Sequence, residues 1–220
     1  DTVQGFFDNT RLLDDIYVIS DSATDTNSGG IGARQVLING LDISKESAQI
    51  TVNLNGTGIV LSANTLIWVN SVQVSVAGSL GFNSGHIRVF NQNLLLTNLI
   101  TSIEPGEGQT FNPQYEVPSN NTLYITSMSV FGNCVDRGFI KIVKYTYTDP
   151  DVSSMLYKVI DKFDVSPNMN YNRKVNFTIQ DGERIAIYRK AYNTPQGNND
   201  ITIQLYGTQK LTNLDVQSSI

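Results

Sequence analysis

Between residues 48 and 61 apolar and polar side chains alternate. Ile50, Val52 and Leu54 share one parity and Thr51 and Asn53 the other; Asn55-Gly56 follows, and then Ile59 and Leu61. Period-two patterning marks a half-buried strand, and Asn-Gly between two such runs signals a hairpin in which Ile59 and Leu61 resume the apolar face. The same alternation recurs at Val72, Val74 and Val76, at Val175, Phe177 and Ile179, and at Ile201, Ile203 and Leu205. Strands are expected at 34–38, 48–54, 57–61, 65–77, 85–90, 108–116, 122–131, 138–148, 156–164, 173–179, 183–192 and 200–207. One polar side per strand predicts antiparallel sheets with one buried face, and the regular spacing predicts a sandwich or barrel. The fold class expected is all-β, an antiparallel β-sandwich with helix below about 15%, well under the usual third.

Two stretches fit helix and strand equally. In 151–163, Val152, Met155, Leu156, Val159, Ile160 and Phe163 fall at helical spacing after Pro150, with Asp151 as N-cap. The rival is a strand from Leu156 to Asp164 with Tyr157, Val159 and Phe163 on one face. In 96–103, Leu96, Leu99, Ile100 and Ile103 are also helix-compatible. Both alternatives stay open. On the long strand at 65–77, Leu66, Trp68, Val72 and Val74 share a parity, which places Trp68 in the sandwich core.

Residues 20–32, SDSATDTNSGGIG, form a polar, Gly-rich loop. It suggests an N-terminal arm over 1–33 and a β-sandwich domain over 34–220. EPGEG at 104–108 is the clearest internal break; it either separates two lobes or joins two strands of one sandwich. The arm carries Phe6, Phe7, Leu12, Leu13 and Ile16. One strand face cannot bury all of these, so Phe6, Phe7, Leu12 and Leu13 are the expected assembly contacts, covered by a neighbouring subunit.

Composition narrows the chemistry. Of 220 residues 16% are charged, net charge is −5, and there are one His and one Cys. Polarity comes from Asn, Ser and Thr, a surface suited to packing against neighbours, because burying an amide or hydroxyl costs less than burying a charge. The basic residues are scattered; Lys141/Lys144 and Arg184/Arg189/Lys190 are the densest spots, and no basic stripe with interleaved aromatics points to nucleic acid. No apolar run is long enough for a membrane span. His86 and Cys134 alone cannot build a zinc site, and Cys134 reads as a small buried hydrophobe.

No cofactor is expected, because no phosphate-binding glycine motif is present. His86, in NSGHIRVF, reads as a half-exposed residue at a strand start rather than a catalytic base. Asp14-Asp15 point to opposite faces, and Glu104 and Glu107 flank a turn, so neither makes a glycosidase pair. Asp21, Asp25 and Asn27 have a loose calcium-like spacing without the terminal Glu of an EF-hand loop, and read as a solvated polar loop. Tyr124, Tyr145, Tyr147, Tyr157, Tyr171, Tyr188, Tyr192 and Tyr206 lie in the second half. A large ring with a polar tip suits a core rim or an interface.

Two stretches carry a resemblance. The first is 34–90, where a strand ending in Gly40-Leu41-Asp42 leads to a strand, the Asn55-Gly56-Thr57 turn, a second strand and a Gly-rich turn. The second begins FNPQYEVPSNNTLYITSMSVF (111–131) and continues in RIAIYRKAY (184–192) and ITIQLYG (201–207). Together they resemble virion structural proteins of tailed phages and large DNA viruses. The resemblance implies a jelly-roll-like sandwich located in the virion. It implies a non-enzymatic role in capsid assembly or stabilisation, as a minor capsid, penton or decoration protein. The implied partners are other virion proteins and further copies in a homo-oligomer. The alternative is a fibre or spike module that recognises host glycan or protein through the loops at 132–138 and 193–200.

Overall fold

The computed structural model describes residues 15–62, 66–91, 99–110, 114–134, 137–147, 155–166, 169–191 and 199–211. Among them the protein is all-β: there are strands and no helix. Two compact units are formed, Asp1–Asn112 and Pro113–Ile220.

The first unit contains β1 (Ile16–Ser20), β2 (Ala33–Leu41), β3 (Ser47–Asn53), β4 (Val60–Leu61), β5 (Trp68–Ala77), β6 (Ile87–Asn91) and β7 (Leu99–Ile103). They form two antiparallel sheets, ordered β4-β1-β6-β7 and β3-β2-β5. Alternation turns each sheet's apolar side inward. Ile16, Val18 and Val89 of one sheet join Ile38, Val52 and Val72 of the other in a single buried cluster. Each such side chain contributes about 1.5–3 kcal/mol by leaving water.

The second unit contains β8 (Gln114–Glu116), β9 (Asn121–Cys134), β10 (Gly138–Tyr147), β11 (Met155–Val165), β12 (Met169–Ile179), β13 (Arg184–Ala191) and β14 (Asn199–Leu211). Its antiparallel sheets are ordered β11-β10-β13-β8 and β12-β9-β14. Ile140, Ile142 and Ile185 of the first pack with Ile125, Met128 and Val130 of the second.

The segment read as an arm contributes β1, which lies between β4 and β6, with Ile16 and Val18 fully buried. Phe6, Phe7, Leu12 and Leu13 lie outside the described residues. EPGEG forms a turn inside the first unit, Glu107 N–H donating to Glu104 O at 3.1 Å. Both helix-or-strand ambiguities resolve to strand where they are described. Leu99–Ile103 pairs with β6, and Met155–Val165 pairs with β10 along its length; 92–98 and 148–154 lie outside the described residues. A neighbouring strand offers each backbone group a partner, which outweighs a weak helical periodicity.

Three sequence expectations are corrected. The Asn55-Gly56 turn forms, with Gly58 N–H donating to Asn55 O at 2.9 Å and Gly56 at φ 58°. It is not a hairpin, however. β3 pairs with β2 while β4 pairs with β1, so the turn carries the chain from one sheet to the other. Gly56 N–H donates to Asp25 O, and Ser20 N–H to Gly56 O, which fastens the turn to the loop after β1. Ile59 and Leu61 are exposed, not resumed into the core.

Trp68 is buried, but outside the main cluster, with Leu41 and Ile67. Asn39 pairs with Ser71 and Gly40 with Val69, so Asn70 is an extra residue. This bulge shifts the parity and places Val69 with Val72 in the main cluster. Gly40 approaches Trp68 O so closely that a Cβ there would lie 2.0 Å away.

The third correction has the same cause. Val143 pairs with Val159 and Ile142 with Asp161, which leaves Ile160 as a bulge in β11. Phe163 therefore packs on the core while Tyr157 and Val159 are exposed.

Candidate functional site

At one end of the first unit, three loops are drawn together by polar side chains. Asp25, fully buried, is the centre. Its Oδ1 accepts from Ala33 N–H and Ser84 N–H, both at 2.8 Å. Its Oδ2 accepts from Ser20 Oγ–H at 2.7 Å and Gly85 N–H at 2.9 Å. Four donors converge on this carboxylate. Their dipoles stabilise an anion, so Asp25 is a buried loop anchor and not part of the solvated polar loop read from the spacing of Asp21, Asp25 and Asn27. Asn83, also fully buried, ties the same loops: its Nδ2 donates to Gly85 O and Glu104 O, and its Oδ1 accepts from Gly108 N–H.

His86 sits at the rim of this node. Its Nδ1 lies 2.9 Å from Asp21 Oδ2 and its Nε2 2.9 Å from Glu104 Oε2. An imidazole ring donates from both nitrogens only when both carry a proton, so two carboxylates suit the charged ring. With each nitrogen on a carboxylate, neither addresses a hydroxyl nucleophile, and a Ser-His-Asp arrangement is not assembled. Arg88 Nη2 lies 3.3 Å from Asp21 Oδ2. Desolvation draws the Asp21 carboxyl upward. Hydrogen bonds from the His86 backbone and ring, with the charges of His86 and Arg88, outweigh this and hold its pKa below the ordinary value of 3.8.

The second unit has its own buried carboxylate. Glu183 takes Lys144 Nζ at 2.8 Å, Thr146 Oγ1–H at 3.1 Å and Gln180 N–H at 2.8 Å. Arg184, buried beside it, reaches Gln114 Oε1 at 3.3 Å and Glu116 Oε2 at 3.6 Å. Lys144 and Arg184, one member of each basic spot read in the sequence, are therefore paired within the fold. Among the described residues no group of three or more His, Cys, Asp or Glu is placed to hold a metal ion. The side chain of Cys134 and most of the loop residues at 132–138 and 193–200 lie outside the described set.

Several aromatic and aliphatic side chains of the second unit are exposed. On the β10–β11 face the Tyr145 ring lies 6.2 Å from Tyr157 and 6.3 Å from Tyr188, with the Tyr145 and Tyr188 hydroxyls hydrogen-bonded. Tyr157 is 67% exposed and Leu156 65%. Burial, partly offset by Arg184 and reinforced by Tyr157, raises the Tyr145 pKa. On the β12-β9-β14 sheet, Tyr124, Phe131 and Tyr206 are exposed, and Lys210 Nζ lies 5.8 Å from the Tyr124 ring centre.

The concentration of tyrosine is visible in the sequence, but its faces are not. The Asp21–His86–Glu104 bridge left no sequence signal, since its members are separated by 65 and 18 positions and meet only through sheet pairing. Comparison with protein-family models, with curated proteins and with solved structures finds no match to this chain.

Proposed function

We propose that this chain is a non-enzymatic structural protein of a virus particle that acts in capsid assembly or stabilisation as a minor capsid, penton or decoration protein. In this reading each unit is a jelly-roll-like β-sandwich and the first residues form an arm that docks on a neighbour. The supporting observation is the exposed apolar surface of the second unit. Tyr157, Leu156 and Val159 crowd one strand, and Tyr124, Phe131 and Tyr206 lie on the other sheet. Exposed aromatic and aliphatic side chains grouped this way mark contact surfaces. The buried carboxylates Asp25 and Glu183 support the same reading, because their oxygens are engaged by the fold rather than presented to a substrate.

A second reading rests on Tyr206 beside Gln204, whose amide oxygen accepts from the Tyr206 hydroxyl. An aromatic ring next to an amide also suits a sugar ring, as in a fibre or spike module. Analytical ultracentrifugation and electron microscopy of the full chain separate the two. Closed oligomers or shells are expected, and deletion of residues 1–11 weakens them while far-UV circular dichroism stays β-type. A chain that stays monomeric at every concentration and binds defined glycans overturns the assembly reading in favour of the second.

A further inference from the structure

Edge strands in the second unit differ in how they are protected. β11 carries Lys158, Asp161, Lys162 and Asp164, a mixed set of charges that discourages pairing with another strand. β12 carries Arg173 and Lys174 and no acid, so it cannot complement itself, and β8 is three residues long. β14 is different. It is 13 residues long, lies at the edge of β12-β9-β14, and pairs with β9 from Asn199 to Leu211. Its other edge has no strand partner among the described residues. The one register irregularity is an extra residue, Thr126, on β9, so β14 itself runs unbroken.

β14 has two charged residues, Asp200 and Lys210, near opposite ends. Backbone donors and acceptors of an edge strand point outward at every second residue. Antiparallel pairing of two identical edges therefore matches residues of one parity. Centred on Leu205, such a pairing sets Gln204 opposite Tyr206, Thr202 opposite Thr208, and Asp200 opposite Lys210. Both ends then bring opposite charges together. A centre at 204 or 206 leaves each charge facing a neutral position, and a centre near either end sets like charges together. Among the described residues no carboxylate forms an ion pair with Lys210; its described side-chain contact is the Tyr124 ring.

We propose that β14 is a homodimerisation edge: two copies pair antiparallel through it, centred on Leu205, to make one continuous six-stranded sheet. The contact is isologous and closes on itself. The inference rests on the assembly reading above and names one of its surfaces.

Sedimentation velocity of the full chain at low salt tests it. Asp200→Lys places Lys opposite Lys at both ends, and Lys210→Asp places Asp opposite Asp. Each single variant should weaken dimerisation by about tenfold, from two cross-strand pairs changed from attraction to repulsion. Mixing the two variants restores opposite charges at both ends and should restore the dimer. The double variant Asp200→Lys/Lys210→Asp should pair like wild type. Wild-type assembly unaffected by the single variants, or single variants not rescued by mixing, overturns the β14 pairing and leaves the assembly reading standing. A wild-type chain that is monomeric throughout overturns both.

Discussion

In the first unit the loop end is fastened by acids and an amide: Asp25 with four donors, Asn83 with three bonds, and Asp21 with His86 and Arg88. In the second unit tyrosines are prominent in both packing and surface. Tyr115 and Tyr171 pack on its core and Tyr145, Tyr157 and Tyr188 line one face. Both units bury a comparable aliphatic cluster between two antiparallel sheets. Both units also hold a buried carboxylate in a polar node, Asp25 in one and Glu183 in the other; the difference lies in how far tyrosine contributes. Convergent hydrogen bonds fix loops in one conformation. Tyrosine rings instead cover sheet surface with a large apolar body and a polar tip.

This contrast makes predictions that different probes can separate. Trp68, the chain's one tryptophan, reports on the first unit, and nine of the ten tyrosines lie in the second. The largest effect is expected from Asp25→Ala, which leaves three buried donors and one part-buried donor without their acceptor. Hydrogen bonds to a charged group contribute roughly 1.5–3 kcal/mol each, so a loss of at least about 3 kcal/mol is expected in Trp68-monitored unfolding. A loss below about 1 kcal/mol would show that water replaces the carboxylate and that the node is not what fastens the loops.

The pH scan should divide the units. Burial pushes Tyr171 up to about 12 and also raises Tyr115 and Tyr145. The unfolded chain ionises its tyrosines near 10, before the folded chain does. This contribution to stability is therefore complete below pH 10 and is lost as pH rises toward 12. Tyrosinate absorbance should appear together with loss of the second unit's β signal in that window. Asp21 works in the opposite direction. Its pKa is depressed, so its contribution is present above about pH 4 and is lost as pH falls below 3.8 through the folded value. Early tyrosine ionisation without unfolding would remove the contrast.

The smallest effect is expected from His86→Ala. Its two ion pairs are partly exposed, and such pairs contribute about 0–1 kcal/mol each. The fold should survive, but Asp21 loses the ring's hydrogen bond and charge while keeping the main-chain N–H of residue 86 and Arg88, so the acid transition should move part of the way toward 3.8. An unchanged acid midpoint would show that Asp21 does not depend on the ring.

Much of the fold was legible in alternation. Ile50 and Val52 on β3, Phe177 and Ile179 on β12, and Ile203 and Leu205 on β14 turn inward as their parity requires, because a strand's side chains alternate by geometry. Turn chemistry was legible too: Asn55-Gly56 does turn, since Gly56 adopts a positive φ that costs other residues more. The single His and the single Cys are also read directly from the sequence. Three things were decided only by tertiary structure. Bulges at Asn70 and Ile160 moved Trp68 out of the main core and Phe163 into it, because a bulge depends on which residue a partner strand leaves unpaired. The destination of the Asn55-Gly56 turn depended on β1, which pairs with β4 while β3 pairs with β2. The loop node required Asp25 and Ser84, 59 positions apart, to arrive at one point, and only the pairing of β1 with β6 brings their loops together. Local pattern fixes which way a side chain turns relative to its neighbours in sequence; the partner strand fixes where the count restarts.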